Sequence, residues 1–326
     1  MVEPHKHEVL LFLKDGGIML KYILKRLLML IPVMLGVTFL VYFIISLTPG
    51  DPAAMILGTS ATQESVEELR EEMGFNDSTI VQYGNYMKNL LMGDMGQSYS
   101  TGKTVLSEVT QRFPNTFKLT FSAIGLAILI SIPIGVISAT RQYSIFDNVG
   151  MIFALVGISM PSFWTGLMLI ILFSLKLGWF PSSGMEGMKS LILPAFTLAI
   201  AATAGITRTM RSSMLEVIRQ DYISTAKAKG VSKFNIIKKH ALKNALIPAI
   251  TVIGLQFGVL LGGAVLTETV FSWPGIGRLM VESIQRKDTP MVLGCVIVFA
   301  VAFSIVNLTV DILYAYIDPR IRADYK

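Results

Sequence analysis

The sequence has 326 residues, of which 52% are hydrophobic and 15% charged, and its mean hydropathy is +0.60. Soluble domains carry about 25% charged residues. These values exclude a soluble enzyme, a coiled coil and a disordered regulator, and they indicate an all-α protein that crosses a membrane several times. The single cysteine, Cys295, excludes a disulfide framework and a zinc site built on paired cysteines.

Six apolar stretches account for most of the hydrophobic residues. A helix needs about 20 mainly apolar residues to cross a bilayer. All charged residues except Glu268 and Asp311 lie outside the stretches. The sequence therefore predicts six transmembrane helices, at Leu27–Leu47, Leu119–Ala139, Val149–Leu175, Leu191–Ile206, Ala249–Val270 and Met291–Ala315. The fourth stretch is short and contains Pro194 and Gly205, so we expect its helix to continue into a neighbouring polar segment.

The distribution of lysine and arginine orients the chain. One side of the membrane receives 18 basic residues and the other receives 10; the richer side holds residues 1–26, 140–148, 207–248 and 316–326. Cytoplasmic loops carry the excess of basic residues in membrane proteins. We therefore expect both termini in the cytoplasm, with residues 1–26 as a cytoplasmic N-terminal segment ahead of the first helix.

The first external segment, residues 48–118, is long enough to fold into a small domain. Up to Thr116 it carries nine acidic and four basic residues. Two interpretations stay open for this extracytoplasmic loop domain. It is either a cap that shields the ends of the helices, or a docking surface or lid at the outer mouth.

Two helices are predicted within this outer domain, at Thr62–Met73 and Thr79–Met92. Ser60 and Gln63 have the spacing of a capping box at the start of the first helix, and Gly74 is its expected stop. The domain is therefore expected to be helical, like the rest of the chain.

The long internal segment, residues 208–247, has the opposite charge. Its nine basic and two acidic residues give a net charge of +7, larger than that of the whole chain, +6. Lysine and arginine could hold such a loop on anionic membrane lipid. That interpretation does not explain a run of small residues before Gly230. Small residues allow a helix to lie in a groove of a partner protein; here they are Ser224, Thr225, Ala226 and Ala228.

The sequence offers no candidates for catalysis. It contains no phosphate-binding loop of the GxxxxGK[ST] type, no HExxH or GxSxG motif, and no cluster of cysteine and histidine for a metal. We therefore expect no catalytic residue, no metal site and no cofactor bound by this chain. Asp311 is interpreted as a packing partner, whereas Glu268 fits a packing or a pathway role equally well.

Five motifs resemble the permeases of ABC importers, and more narrowly their dipeptide, oligopeptide and nickel branch. Two are in the internal segment or at its end, one is at the end of the first apolar stretch, one is at the end of the fifth, and one closes the chain. They are Asp221–Gly230 (DYISTAKAKG), His240–Pro248 (HALKNALIP), Leu47–Pro52 (LTPGDP), Glu268–Gly277 (ETVFSWPGIG) and Asp318–Arg322 (DPRIR). The resemblance covers about residue 19 to the end of the chain.

The resemblance implies a type I importer fold in a prokaryotic plasma membrane, with residues 119–326 as the permease core. It implies a heterodimer with a second, homologous permease, two cytoplasmic ATPase subunits that bind ATP and magnesium, and an extracytoplasmic solute-binding protein. We expect no nucleic-acid partner. ATPase closure would push a short helix in the internal loop; its coupling residues would be Ser224, Thr225, Ala226, Lys227, Ala228, Lys229, Gly230, Val231 and Ser232.

The same resemblance suggests where the solute passes and what it is. Candidate residues of the translocation path or outer gate are Glu268, Phe271, Trp273, Pro274 and Gly275. Peptides are the expected substrate, with nickel, a metal chelate or an oligosaccharide as alternatives within the branch. A secondary carrier or channel is the rival from another class. It would need an internal repeat or a series of ionisable groups in the membrane, and the sequence has neither.

The predicted topology can be tested by labelling single cysteines in a Cys295→Ser background. Ser65→Cys should react with a membrane-impermeant thiol reagent added to intact cells, because residues 48–118 are expected outside. Lys233→Cys should react only after the cells are opened. Reaction of both positions from the same side would contradict the assignment.

Overall fold

The computed structural model describes residues 4–58 and 61–317, with side chains for residues 23–58 and 61–312. The described chain is helical and contains no named strand, only a bridge between Gln97 and Thr104. The α-helices are α1 (Pro4–Ser46), α2 (Pro52–Leu57), α3 (Gln63–Glu72), α4 (Thr79–Leu91), α5 (Val105–Thr140), α6 (Ile145–Ser159), α7 (Ser162–Leu169), α8 (Lys189–Ile218), α9 (Asp221–Ala228), α10 (Lys233–Asn235), α11 (Leu242–Val270), α12 (Ile276–Gln285) and α13 (Thr289–Ile317). Two π-helical segments, Ile170–Lys176 and Ile236–Ala241, extend α7 and precede α11.

Five of the six predicted spans are confirmed as single long helices, and the sixth corresponds to a bent pair of helices. Within the described residues, five helices are long and apolar enough to cross a membrane. The sixth span is the pair formed by α6 and α7 with its π-helical end, bent by 107°. The break falls at Met160 and Pro161, which both have extended backbone. A residue before proline is disfavoured in the α conformation, so Pro161 accounts for the break. The helix predicted over Val149–Leu175 is therefore divided in two at this break.

The centre of the molecule is the packing of α5, α8 and α11. Their shared core is rich in alanine, including Ala123, Ala127, Ala199 and Ala264. Gly135 of α5 lies so close to α8 that a Cβ added there would be 2.7 Å from the Cβ of Met210. Small residues allow helix backbones in a membrane to approach closely. The close approach of these helices therefore depends on glycine and alanine residues, which the apolar pattern of the sequence does not distinguish from larger apolar residues.

Helix α8 extends past the fourth apolar stretch, as the sequence predicted. It runs from Lys189 to Ile218, and Pro194 lies within it. The polar continuation carries Met210 and Met214, which are fully buried in a second core cluster. Helix α8 therefore contributes residues to both core clusters and connects them.

The outer domain is smaller than residues 48–118. Helix α5 begins at Val105 and continues into the membrane without a break, so it supplies the last part of that segment. The two predicted helices are present as α3 and α4. The first is capped by Thr62, whose hydroxyl accepts from the backbone N–H of Ser65 at 3.2 Å. The proposed cap Ser60 lies outside the described residues.

Asp51 joins the end of the first span to the outer domain. Its carboxylate accepts from the backbone N–H of Ala53, which caps α2, and from the Nη2 of Arg70 in α3 at 2.8 Å. These hydrogen bonds, led by the one from Arg70, hold the pKa of Asp51 below its usual value. Tyr83 of α4 donates to the carbonyl of Leu35 in α1 at 2.9 Å. Tyr42 of α1 donates to the side-chain oxygen of Gln82 in α4 at 2.9 Å, so hydrogen bonds of Tyr42 and Tyr83 both fasten the domain to the first span.

Two ion pairs link helices within the spans. Arg26 of α1 and Asp311 of α13 are 3.0 Å apart, which agrees with the packing role expected for Asp311. Arg211 of α8 donates from Nε and Nη2 to the two carboxylate oxygens of Asp147 in α6, at 2.7 and 2.8 Å. The Asp147 side chain is only 3% exposed. The second pair therefore fixes α6 against α8 through two parallel hydrogen bonds.

Removing one partner of this buried pair should destabilise the protein. We expect Asp147→Ala to lower the free energy of unfolding by about 3–5 kcal/mol, because it leaves the charge of Arg211 uncompensated. The double change Asp147→Ala with Arg211→Met should lose less. Thermal melting of the purified chain in detergent measures both, with the exposed Asp77→Asn as control. A single variant as stable as the unmodified chain would show that the pair is dispensable.

Candidate coupling loop and outer turn

The proposed coupling residues form a short helix and its C-terminal cap. Helix α9 covers Asp221–Ala228, and Gly230 has a φ of +74°, the left-handed conformation expected at a helix stop. The backbone N–H of Gly230 donates to the carbonyl of Lys227 at 3.0 Å, and that of Val231 to the carbonyl of Ala226 at 3.2 Å. This pair of bonds is the Schellman motif. The predicted helix end at Gly230 is confirmed.

Helix α9 is anchored by one side chain and presents small residues on its other side. Ile223 is fully buried in the second core cluster, together with Met210 and Met214 of α8. The exposed residues of this segment are Ser224, Thr225, Lys227, Ala228, Lys229, Gly230 and Ser232. The helix therefore presents a low, small-residue surface that a protein groove could accept at close range.

Ala226 and Val231 belong to the inner side of the loop. Both are partly buried and pack against the second core cluster. Their contact is the apolar pair that commonly accompanies a Schellman motif. These two residues hold the cap together, and the exposed residues nearest to them are the ones available for contact with a partner.

The loop continues directly into the fifth span. Helix α10, the π-helical segment and α11 follow one another from Lys233 to Val270, and Pro248 lies inside α11. The residues from Lys233 to Pro248 therefore form the first part of that span. Asn244 donates to the hydroxyl of Tyr222 at 2.8 Å, which ties α9 to the same unit. Force applied to α9 would be transmitted directly to α8 and α11.

The turn at residues 268–277, which we call the outer turn, is built around a buried carboxylate. Glu268, at the end of α11, is fully buried. It accepts from the hydroxyl of Thr116 in α5 at 2.6 Å and from the backbone N–H of Arg278 in α12 at 3.0 Å. The same Thr116 oxygen accepts from the backbone N–H of Ile276 at 2.8 Å. Two side chains thus join three helices at the outer end of the core.

Trp273 and Pro274 complete this junction. The indole N–H of Trp273 donates to the carbonyl of Asn115 at 3.0 Å, and the amide of Asn115 donates back to the carbonyl of Pro274 at 2.8 Å. Trp273 is fully buried and belongs to the same core as α5, α8 and α11. The turn is therefore locked onto the membrane core by reciprocal hydrogen bonds and a large apolar side chain.

The five candidate path residues lie together in this turn. Glu268, Phe271 and Trp273 are buried inside the chain, with at most 1% of each exposed, Gly275 is buried and Pro274 is partly buried. In this conformation none of the three large side chains lines an open channel. Their place in a path or gate stays a prediction, and the geometry gives Glu268 a packing role.

Three residues of these sites were missed by sequence reasoning. Thr116 and Asn115 complete the outer turn, and Asn244 braces the coupling helix. Each lies far along the chain from its partner, so local spacing held no signal for it. Within the described residues, no group of three histidine, cysteine, aspartate or glutamate side chains could hold a metal ion.

Gly275 tests how closely the turn is packed around Glu268. A Cβ at Gly275 would overlap the carboxylate of Glu268, whereas its φ of −103° suits any residue. We therefore expect Gly275→Ala to cost about 1–3 kcal/mol by overpacking, measured by thermal melting. Gly262→Ala is the matched control, because no atom lies within 4 Å of its Cβ position. Equal melting temperatures for both variants would contradict the packing described here.

Comparisons with known proteins agree with this architecture. The family described as "Binding-protein-dependent transport system inner membrane component" matches residues 131–323, and its N-terminal companion family matches residues 19–120. The chain is 46% identical to the dipeptide transport system permease protein DppB of Alkalihalophilus pseudofirmus, over 93% of this chain and 100% of that protein. It is 43% identical to the oligopeptide transport system permease protein AppB of Bacillus subtilis, over 93% of this chain and 99% of that protein.

A third relative and a solved structure extend the comparison. The glutathione transport system permease protein GsiC of Salmonella choleraesuis is 42% identical over 93% of this chain and 99% of its own length. A structure of the MetNI methionine ABC transporter has a TM-score of 0.56 at 19% identity, covering 65% of this chain and 96% of that chain. The structural likeness shows the fold, and the sequence likeness shows the family. The chain therefore belongs to the family of binding-protein-dependent transport system inner membrane components, and it is a multi-pass ABC importer permease of the peptide and nickel branch.

Proposed function

We propose that this chain forms half of the translocation path of an ATP-driven importer for dipeptides and oligopeptides. The other half is a second, homologous permease, so that the two form a heterodimer. Two cytoplasmic ATPase subunits bind ATP and magnesium, and an extracytoplasmic binding protein delivers the peptide. Helix α9 is the observation that carries the proposal. It has small residues on an exposed face, a Schellman motif fixes its C-terminal end, and it lies in the basic internal segment.

The arrangement around α9 supports a role in coupling. Ser224, Thr225 and Ala228 offer few side-chain atoms on its exposed face, so a partner's backbone can approach closely at these positions. Its buried side is fixed through Ile223 to the cluster that contains Met210 and Met214 of α8. A push on α9 therefore moves α8 and α11 as a unit, and these helices reach the outer turn at Glu268 and Trp273. This route would link the ATPases to the outer mouth.

The substrate class follows from the relatives and from the charge of the spans. The relatives compared above transport dipeptides, oligopeptides and glutathione, as their names state. The predicted apolar stretches hold only two charged residues, Glu268 and Asp311. Glu268 is buried and Asp311 is paired with Arg26. A path with so few charges would release a zwitterionic peptide easily, and selection would then rest with the binding protein.

We also propose an orientation of the chain in the membrane. Both termini and α9 lie in the cytoplasm, and the outer domain and the outer turn lie outside. The acidic outer domain, together with the turn at residues 268–277, would contact the binding protein. This arrangement agrees with the excess of basic residues around α9.

The coupling role predicts which substitutions in α9 stop transport. Ala228 is exposed and small, so Ala228→Glu should reduce ATP-dependent peptide uptake at least tenfold, because the new carboxylate would be buried unpaired in the ATPase contact. Gly230→Val should also impair uptake, because a β-branched residue at φ +74° costs about 1–2 kcal/mol. The assay is uptake into proteoliposomes that contain all the subunits, with the amount of incorporated chain measured in parallel.

The control separates a groove contact from a general effect of charge. The double change Lys227→Gln with Lys229→Gln removes two positive charges from the same segment, both on exposed side chains, without adding bulk to the small-residue face. We expect uptake to stay within about twofold of the unmodified complex. If the lysine variant lost transport and Ala228→Glu did not, the loop would act as a basic lipid anchor and the coupling role would be refuted.

A further inference from the structure

The outer domain encloses a cavity that no part of the coupling or outer-turn machinery uses. Its volume is about 530 Å³, within the usual range of about 300–1,000 Å³ for small-molecule sites. The walls come from the outer end of α1, the turn after α3, the length of α4, the loop at residues 94–102 and the start of α13. The cavity therefore lies where the outer domain meets two of the spans.

Aromatic rings form much of the wall, and hydrogen bonds hold them in place. Tyr42 donates to the side-chain oxygen of Gln82 at 2.9 Å, and the amide of Gln82 donates to the carbonyl of Phe75 at 3.0 Å. The ring of Phe75 meets that of Tyr99 edge-on, with centroids 5.7 Å apart. Tyr86 is the fourth aromatic residue of the wall. Because these rings are already fixed, a ligand would lose little side-chain entropy by packing against them.

The polar groups of the wall are carboxamides and one carboxylate. Asn85, Asn89 and Gln97 are exposed, and within the described residues their side chains make no hydrogen bond. One oxygen of Asp94 accepts from the backbone N–H of Gly96 at 2.8 Å, and no described cation pairs with the carboxylate. No lysine, arginine or histidine lines the cavity. Its polar groups are therefore available to a ligand, and its only formal charge is negative.

This set of groups matches the chemistry of a peptide. A carboxamide has the N–H donors and the carbonyl acceptor of a peptide unit, so it pairs with a peptide backbone in either direction. The carboxylate of Asp94 suits a free α-ammonium group, and aromatic faces attract the same cation. The rings of Tyr42, Phe75 and Tyr99 offer an apolar surface for side chains. An anionic ligand finds no counter-ion in this wall.

We propose that the cavity is a binding site for short peptides with a free N-terminus, separate from the membrane path. Asp94 binds the α-ammonium group, the carboxamides of Asn85, Asn89 and Gln97 bind the backbone, and the aromatic wall holds the side chains. The physiological role of such a site rests on the proposed function, since it would receive the transported class of solute at the outer mouth. Binding itself does not depend on transport.

The test is a titration of the purified full chain, in lipid nanodiscs, with trialanine by calorimetry. We expect saturable binding that N-acetylation of the peptide weakens about tenfold or more, because the ammonium group is lost. Asp94→Asn should weaken trialanine binding by a similar factor and leave binding of N-acetyl-trialanine unchanged. The asparagine oxygen can still accept from Gly96, so the loop should keep its shape. Maltotriose serves as an uncharged polyhydroxyl probe.

The matched control is Glu71→Gln, the same loss of charge on an exposed residue of α3 outside the cavity. It should bind trialanine as the unmodified chain does. Asn85→Leu gives a second variant of similar size, and it should weaken both peptides. Absence of trialanine binding, equal effects of Asp94→Asn and Glu71→Gln, or preferential binding of maltotriose would each overturn the proposal. A complex that transports peptide while its permease fails to bind trialanine would refute this site alone and leave the proposed function intact.

Discussion

The close packing of α5, α8 and α11 is the constraint on which the rest of the structure depends. Between membrane helices the hydrophobic effect contributes little, so contact between small residues must hold the helices together instead. Gly135 leaves no room for a Cβ beside Met210, and alanines fill much of the shared core. Helix α8 then continues beyond the membrane, where its methionines bury Ile223 of α9. The three central helices thereby connect α9 to the turn at residues 268–277.

The two ends of the central helices are stabilised in different ways. At the basic end, a Schellman motif around Gly230 ends α9. At the other end a chain reversal follows the fifth span. There Glu268 and Thr116 satisfy backbone N–H groups of α12, so these groups are not left unpaired in the interior. Trp273 belongs to the central core itself. Movement of that core would therefore be felt directly at the outer turn.

Side-chain hydrogen bonds hold the outer domain against the first span. Asp51 holds α2 and α3 near the end of the first span, and Tyr83 of α4 bonds to α1. The domain also joins the central helices directly, because α5 begins at Val105, whose backbone N–H donates to the carbonyl of Gly96 at 3.0 Å. The loop that carries Asp94 and Tyr99 in the cavity wall is thus continuous with α5.

The sequence by itself determined the all-helical membrane class, the positions of the apolar spans and the place of helix α9. Each of those features has a local signal in the sequence: long apolar stretches, small residues before Gly230 and motifs such as LTPGDP. Tertiary structure decided what sequence spacing does not encode. It joined the segment before Pro248 to the fifth span, turned Ala226 inward and buried Glu268 against Thr116. The bend of the third span follows from the local restriction before Pro161. The inward position of Ala226 and the burial of Glu268 depend instead on contacts between residues distant in the chain, which leave no periodic pattern in the sequence.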